Sequence, residues 1–163
     1  MAEAENKKVE VSEEQFREVF TAIADFTTVR ELKGISDKEI ESIYAMGVDF
    51  YRAGNYVDAE KIFRFLTIFE HTSSKYWTAM GSVQQVQGRH AEAIKSYQMA
   101  TFFDLHNPKP MYYAAECFVK VGDFENARKA LASLDAYGPK DTEAGRRFLA
   151  KGAELKARIA DKK

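Results

Sequence analysis

The sequence repeats itself with a period of 34 residues between Tyr44 and Pro139. Alanines occupy positions 59, 93 and 127, and glycines occupy positions 54, 88 and 122. A second small-residue column and an aromatic-type column keep the same step: Gly47, Gly81 and Ala115, and Tyr56, His90 and Phe124. Because these columns share one register, the chain must be built from copies of one structural unit.

A 34-residue period of this kind is typical of the tetratricopeptide repeat, a helix–turn–helix unit. The small residue of each first helix lets the second helix approach closely. The pattern predicts helix pairs near 37–53 and 56–69, 74–87 and 90–104, and 108–121 and 124–136. One pair cannot bury its apolar faces alone, so the pairs must stack. The prediction is an all-α fold, an α-solenoid of three tandem repeats within 36–139, at about 40–73, 74–107 and 108–139.

The segments on either side of the repeats have distinct patterns. Residues 1–11 are charged and predicted to be disordered. A capping-box pattern at Ser12 and Gln15 predicts an N-terminal amphipathic helix within 12–34, ending near Gly34. Its apolar face could form a homodimer contact or fold back onto repeat one; its residues are Phe16, Val19, Phe20, Ile23 and Phe26. Residues 140–163 predict a C-terminal capping helix that closes the exposed end of the solenoid.

The charge balance argues against several classes of partner. The chain has 24 basic and 25 acidic residues and a net charge of -1. Nucleic-acid or direct membrane binding would call for a basic excess. No apolar run approaches the ~20 residues of a membrane helix. The lone Cys117 cannot form an internal disulfide, which fits a reducing compartment. We therefore expect a soluble cytoplasmic protein.

Catalytic and metal-binding patterns are weak in this sequence. His71, His90 and His106 are not spaced to share one helix face, and His90 occupies the aromatic-type column. No Cys, His or carboxylate cluster has a known ligand spacing, and no glycine-rich phosphate loop is present. Cys117 is more typical of a small buried residue than of a nucleophile. The sequence predicts no catalytic residue, metal or cofactor.

The first helix of each repeat is expected to line the concave side of the solenoid. Tyr44, Val48 and Tyr51 follow an i, i+4, i+7 spacing and so share one face. The equivalent positions in the other repeats are Thr78, Ser82 and Gln85, then Tyr112, Glu116 and Val119. This strip could bind an extended peptide, or each tyrosine could simply pack against neighbouring helices.

The capture of a partner's terminal carboxylate is not expected on this strip. Tyr44 and Val48 cannot clamp a carboxylate, and Lys109 alone is not sufficient. An apolar internal segment of a partner is the better candidate.

Several stretches outside the repeat columns resemble the class II chaperones of bacterial type III secretion systems. These are VRELKGISDKEIESIYAMGVDFY at Val29–Tyr51, RAGNY at 52–56, AEKIFRFLTIFEH at Ala59–His71 and AAEC at Ala114–Cys117. The resemblance covers about residues 20–137. It implies an all-helical homodimer whose N-terminal helix takes part in dimer contacts. It also implies a concave groove that holds a short proline- and leucine-containing segment of a hydrophobic translocator protein.

Carried over by position, the resemblance implies one set of peptide-binding groove residues. They are Tyr44, Val48, Tyr51, Phe69, Thr78, Ser82, Gln85, Tyr112 and Glu116. The implied function is that of a cytoplasmic bacterial chaperone, without a cofactor, that keeps translocators soluble and export-competent. A generic tetratricopeptide adaptor of a cytosolic complex is the alternative, and a regulatory role would act through a protein partner.

One departure concerns the residues before Val29. Relatives often have a glycine-containing turn there, whereas this chain has Asp25-Phe26-Thr27-Thr28. The N-terminal helix is therefore expected to run on through this point, with a changed dimer geometry.

Overall fold

The structure, a computed structural model, describes residues 28–162. Within this range it contains helices and no strand. The helices are α1 (Val29–Lys33), α2 (Asp37–Arg52), α3 (Tyr56–Phe69), α4 (Ser74–Val86), α5 (His90–Phe103), α6 (Pro108–Lys120), α7 (Phe124–Tyr137) and α8 (Glu143–Arg158).

The helices from α2 to α7 form three stacked pairs. α2 packs on α3, α4 on α5, and α6 on α7, while α3 contacts α4 and α5 contacts α6 to join the repeats. α8 packs against both helices of the third pair. Its buried side chains are Phe148, Leu155 and Ile159 at its end. The prediction of an all-α fold with three helix pairs is therefore confirmed.

The glycine column forms the turn inside each helix pair. Gly54, Gly88 and Gly122 have φ angles of 77°, 77° and 81°. This left-handed backbone is strained for residues with a β-carbon and open to glycine. A glycine recurs every 34 residues because each pair needs the same turn.

The other small-residue column sets how closely paired helices approach. A β-carbon on Gly47 would lie 2.7 Å from Cε1 of Phe63, and one on Gly81 would lie 2.6 Å from Cε1 of Tyr97. The third repeat has Ala115 in this column, and the residue equivalent to Phe63 and Tyr97 is the smaller Leu131. A repeat with glycine in this column thus has an aromatic residue at the facing position of the second helix, and the repeat with alanine has leucine there.

The N-terminal boundary differs from the prediction. α1 begins at Val29, and Thr28 before it is extended, with φ -86° and ψ 155°. The Thr28 hydroxyl accepts the Glu31 amide, and the Glu31 carboxylate accepts the Thr28 amide. This capping box marks the start of α1, so the prediction that a helix runs on through Thr28 is wrong. α1 ends at Lys33, and Gly34 after it has the left-handed φ of 65°.

Two further contacts hold the start of the described chain. Arg30 donates to Glu70 at the end of α3 over 2.8 Å and also pairs with Asp37. A capping box of Ser36 and Glu39 opens α2. The candidate dimer residues lie outside the described residues: Phe16, Val19, Phe20, Ile23 and Phe26.

Candidate functional site

A groove crosses the first helices of the three repeats. It consists of adjoining cavities that share lining residues, and we call it the concave groove. α2 contributes Tyr44, Val48 and Tyr51. α4 contributes Lys75, Thr78, Ala79, Ser82, Gln85 and Val86. α6 and the residue before it contribute Asn107, Lys109, Tyr113, Glu116, Val119 and Lys120.

The α2 wall is aromatic and half-buried. The Tyr44 ring centroid lies 5.9 Å from that of Phe63 and 5.6 Å from that of Tyr76. Lys75 Nζ lies 4.0 Å from the centroid of the same ring, within the range of a cation–π contact. Tyr44 therefore packs against its neighbours and lines the groove at once, so the two readings of this tyrosine are not exclusive.

Tyr51 extends the aromatic wall toward the end of α2. Its ring meets that of Tyr56 edge-on, with centroids 5.5 Å apart. Burial raises the pKa of Tyr51 above its ordinary value, because the charged phenolate would lose hydration. At neutral pH the hydroxyl therefore stays protonated and can donate a hydrogen bond.

The floor of the groove between α4 and α6 is polar. The Tyr97 hydroxyl donates to Gln85 Oε1 over 2.7 Å. Gln85 Nε2 lies 3.5 Å from Glu116 Oε2, and the Tyr112 hydroxyl donates to Glu116 Oε1 over 2.8 Å. This chain of contacts joins α4, α5 and α6 and places an amide and a carboxylate between apolar walls.

The structure separates the two adjacent tyrosines of α6. Tyr112, a predicted groove residue, is buried, and its ring packs on Phe148 of α8 with centroids 5.6 Å apart. It reaches the groove only through its hydrogen bond to Glu116. Tyr113 lines the groove instead, between Tyr97 and Phe148. The difference arises because α8 covers the Tyr112 face of the third repeat.

Sequence reasoning missed Tyr113, although a signal was present. The equivalent positions in repeats one and two are Ala45 and Ala79. A tyrosine where the other two copies have alanine is a break in the column, and that break is the signal.

One end of the groove contains two lysines. Lys75 and Lys109 line the same cavity, together with Asn107 and Thr78. Lys75 Nζ lies 2.6 Å from both carboxylate oxygens of Glu41. The sequence pattern indicates only Lys109 as a cation on this strip. The fold places Lys75 of the preceding repeat in the same cavity.

The remaining predicted residues take different places. Thr78 and Ser82 line the groove, with hydroxyls that donate to the backbone carbonyls of Ser74 and Thr78. Phe69 is not among the residues that line the groove; its ring stacks on Phe65 of the same helix, with centroids 4.0 Å apart. The remaining predicted binding residues line the groove, apart from Phe69 and Tyr112.

The described residues contain no group of three or more His, Cys, Asp or Glu side chains that could hold a metal ion. Cys117 is buried, and burial raises the pKa of its thiol to about 12. At neutral pH the thiol is protonated and is a poor nucleophile. None of the helices in residues 28–162 is long and apolar enough to cross a membrane.

Several known proteins are similar to this chain in sequence or in fold. The low calcium response locus protein H of Yersinia pestis is 31% identical over 104 residues, which are 64% of this chain and 62% of that protein. The structure of PcrH in complex with the chaperone binding region of PopD is similar with a TM-score of 0.69 and 31% identity; the match covers 80% of this chain and 98% of PcrH.

A second solved structure is the Yersinia enterocolitica type III secretion chaperone SycD in complex with a peptide of the translocator YopD. It has a TM-score of 0.72 and 25% identity, and the match covers 77% of this chain and 95% of SycD. SycD has also been solved as an alternative dimer, which is similar with a TM-score of 0.64 and 28% identity. No protein-family model matches the chain.

The helix pairs and the concave groove define a tetratricopeptide-repeat domain with an open, partly aromatic cleft. Its similarity to PcrH and SycD narrows the class further. The chain belongs to the translocator chaperones of type III secretion systems.

Proposed function

We propose that this protein is a cytoplasmic bacterial chaperone, without enzymatic activity, for hydrophobic translocator proteins of a type III secretion system. It holds an extended apolar segment of the translocator in the concave groove and keeps the translocator soluble and export-competent. The chain spans 62% of the length of the curated relative from Yersinia pestis. The function of the whole protein is therefore a proposal.

The composition of the groove is the observation that carries this proposal. Tyr44, Val48 and Tyr113 offer apolar surface, while Gln85 and Glu116 offer a donor and an acceptor between them. An extended segment needs both, because its side chains bury apolar area and its backbone must keep its hydrogen bonds. SycD was solved with a peptide of the translocator YopD, and PcrH with the chaperone binding region of PopD, which supports a peptide-binding role for the same fold here.

Binding would act by mass action. A translocator that exposes apolar surface aggregates or inserts into membranes at a rate that depends on its free concentration. A chaperone that binds this state lowers that concentration without any chemical step. The groove therefore needs affinity and reversibility, and no catalytic group enters the proposal.

We also propose a homodimer. The apolar face predicted at Phe16, Val19, Phe20, Ile23 and Phe26 supports it, as does the dimer described for SycD. Sedimentation of the full chain against a chain that starts near Gly34 tests this point. A monomer in both cases would contradict it.

The function is tested by co-expression with a translocator encoded by the same secretion system. The wild type is expected to raise the soluble fraction of the translocator and to co-purify with it. Tyr44→Ala combined with Tyr51→Ala is expected to lose both effects. A matched pair, Val57→Ala with Phe102→Ala, removes two exposed apolar side chains outside the groove and is expected to behave as wild type.

Thermal unfolding of both double variants separates lost binding from lost folding. Capture of a stable cytosolic protein, with the translocator left insoluble, would contradict the chaperone function and favour an adaptor.

A further inference from the structure

One buried position of the 34-residue period has a hydroxyl group in the second repeat alone. Phe63, Tyr97 and Leu131 occupy one column of the 34-residue period. Each is buried at 2% exposure or less. Phe63 fills the space beside Gly47 as Tyr97 fills the space beside Gly81. Packing in this column therefore does not need a hydroxyl, since neither Phe63 nor Leu131 has one.

The hydroxyl of Tyr97 points at the floor of the concave groove. It donates to Gln85 Oε1 over 2.7 Å and lies 3.4 Å from Ser82 Oγ. Burial raises the pKa of Tyr97 well above its ordinary value, so the group is a permanent donor. Both residues that it contacts line the groove.

This hydrogen bond selects one of the two orientations of the Gln85 amide. With Oε1 facing Tyr97, Nε2 faces Glu116 Oε2 at 3.5 Å. The reversed amide would place its oxygen against Oε2 of the Glu116 carboxylate. The other carboxylate oxygen, Oε1, accepts a hydrogen bond from the Tyr112 hydroxyl. Two acceptors would then oppose each other, and the Tyr97 hydroxyl would exchange its 2.7 Å acceptor for the longer contact of 3.4 Å to Ser82 Oγ.

We propose that Tyr97 is a positioning residue of the concave groove. Its hydroxyl fixes the Gln85 amide so that the N–H groups face Glu116 and a backbone carbonyl of the bound segment. A preorganised donor raises affinity because the segment does not have to pay for ordering a free glutamine side chain. The inference rests on the proposed function, since it names how the same groove holds its peptide.

The orientation can be tested without any peptide. In NMR spectra of the full-length protein, the Gln85 side-chain amide protons are expected to be shifted from free-glutamine values and slow to exchange. Tyr97→Phe should move these signals toward free-glutamine values. The matched control is Tyr76→Phe, which removes the hydroxyl of another buried tyrosine whose contact is Glu41. Unchanged Gln85 signals in Tyr97→Phe would overturn the inference.

The effect on affinity needs a double-mutant cycle. The probe is a peptide that spans the chaperone binding region of PopD, titrated calorimetrically into wild type, Tyr97→Phe, Gln85→Ala and the double variant. One lost orienting hydrogen bond predicts about tenfold weaker binding for Tyr97→Phe. The same change should have almost no effect in the Gln85→Ala background, because Tyr97 acts through Gln85.

The outcomes separate the two proposals. Equal affinity of wild type and Tyr97→Phe overturns the positioning role, and so does an unchanged effect of Tyr97→Phe in the Gln85→Ala background. A wild type that does not bind the PopD region contradicts the proposed function instead. The Gln85 amide signals then decide the orientation by themselves.

Discussion

A β-carbon on Gly81 would lie 2.6 Å from Cε1 of Tyr97, on the second helix of the same repeat. The volume that a side chain would need at position 81 is therefore already filled. The same relationship holds between Gly47 and Phe63. Close approach of the paired helices thus depends on which two residues meet at this point.

Gly81→Ala is predicted to destabilise the protein. The gain of about 1 kcal/mol in helix propensity is outweighed, because overpacking a rigid ring costs about 1–3 kcal/mol and the backbone must shift. Gly81→Ala with Tyr97→Leu recreates the Ala115 and Leu131 combination of the third repeat. We expect this double variant to be more stable than the sum of the single changes, as measured by urea unfolding. Strict additivity would contradict the account.

Phe148→Ala is predicted to cost about 3–5 kcal/mol, because it removes a buried ring of α8 that packs on Tyr112 and Tyr113. The variant should also weaken peptide binding, since Tyr113 loses its support. Phe102→Ala is the control: the same change at a side chain that is 71% exposed should alter stability by less than about 0.5 kcal/mol. Equal losses for the two variants in thermal unfolding would refute the role of α8.

The pair of Glu60 and Arg89 is predicted to make the junction of repeats one and two sensitive to pH. Arg89 lies 2.5 Å from the Glu60 carboxylate, and its hydrogen bond lowers the pKa of Glu60. A lowered folded-state pKa means stability that is present above the ordinary Glu pKa and lost as pH falls through the folded value. Glu60→Gln should therefore be less stable than wild type by about 1 kcal/mol near neutral pH.

The difference between wild type and Glu60→Gln should vanish at acid pH, in chemical unfolding followed across the titration. Glu125→Gln is the control, because Glu125 pairs with Lys129 within one exposed helix face. It should change stability less than Glu60→Gln does. A difference for Glu60→Gln that persists below the pKa of Glu60 would argue against the ion pair as its cause.

Cys117 is predicted to resist thiol reagents in the folded protein. It is buried, and its thiol pKa of about 12 leaves little thiolate at pH 8. Labelling with Ellman's reagent should be negligible in native conditions and complete after denaturation in guanidinium. Rapid native labelling would show that the thiol is accessible and would reopen a reactive role.

The repeat architecture could be predicted from the sequence because each column of the 34-residue period meets one steric requirement. A glycine at 54, 88 and 122 is required by a left-handed turn, and no distant residue changes that requirement. The start of α1 was missed although Thr28 and Glu31 form a capping-box pattern. Val29 follows Phe26 at a helical spacing of three residues, so the sequence also favours a helix that continues through Thr28, and only the backbone at Thr28 decides between the two.

The groove was predictable where it depends on one helix face, as for Tyr44, Val48 and Tyr51. It was less predictable where two repeats or α8 contribute. Tyr112 and Tyr113 exchange roles because α8 covers one face of the third repeat, which no spacing within α6 reveals. Lys75 joins Lys109 only through stacking of repeats two and three.

Site-specific crosslinking tests most directly whether the concave groove holds the translocator. The photoreactive residue p-benzoylphenylalanine replaces either Tyr113 in the groove or Phe102 outside it, so that each change exchanges one aromatic side chain for another. Each variant is co-expressed with a translocator of the same secretion system and irradiated. We expect a crosslinked chaperone–translocator product at position 113 and none at position 102. Crosslinking at position 102 with none at position 113 would contradict the account.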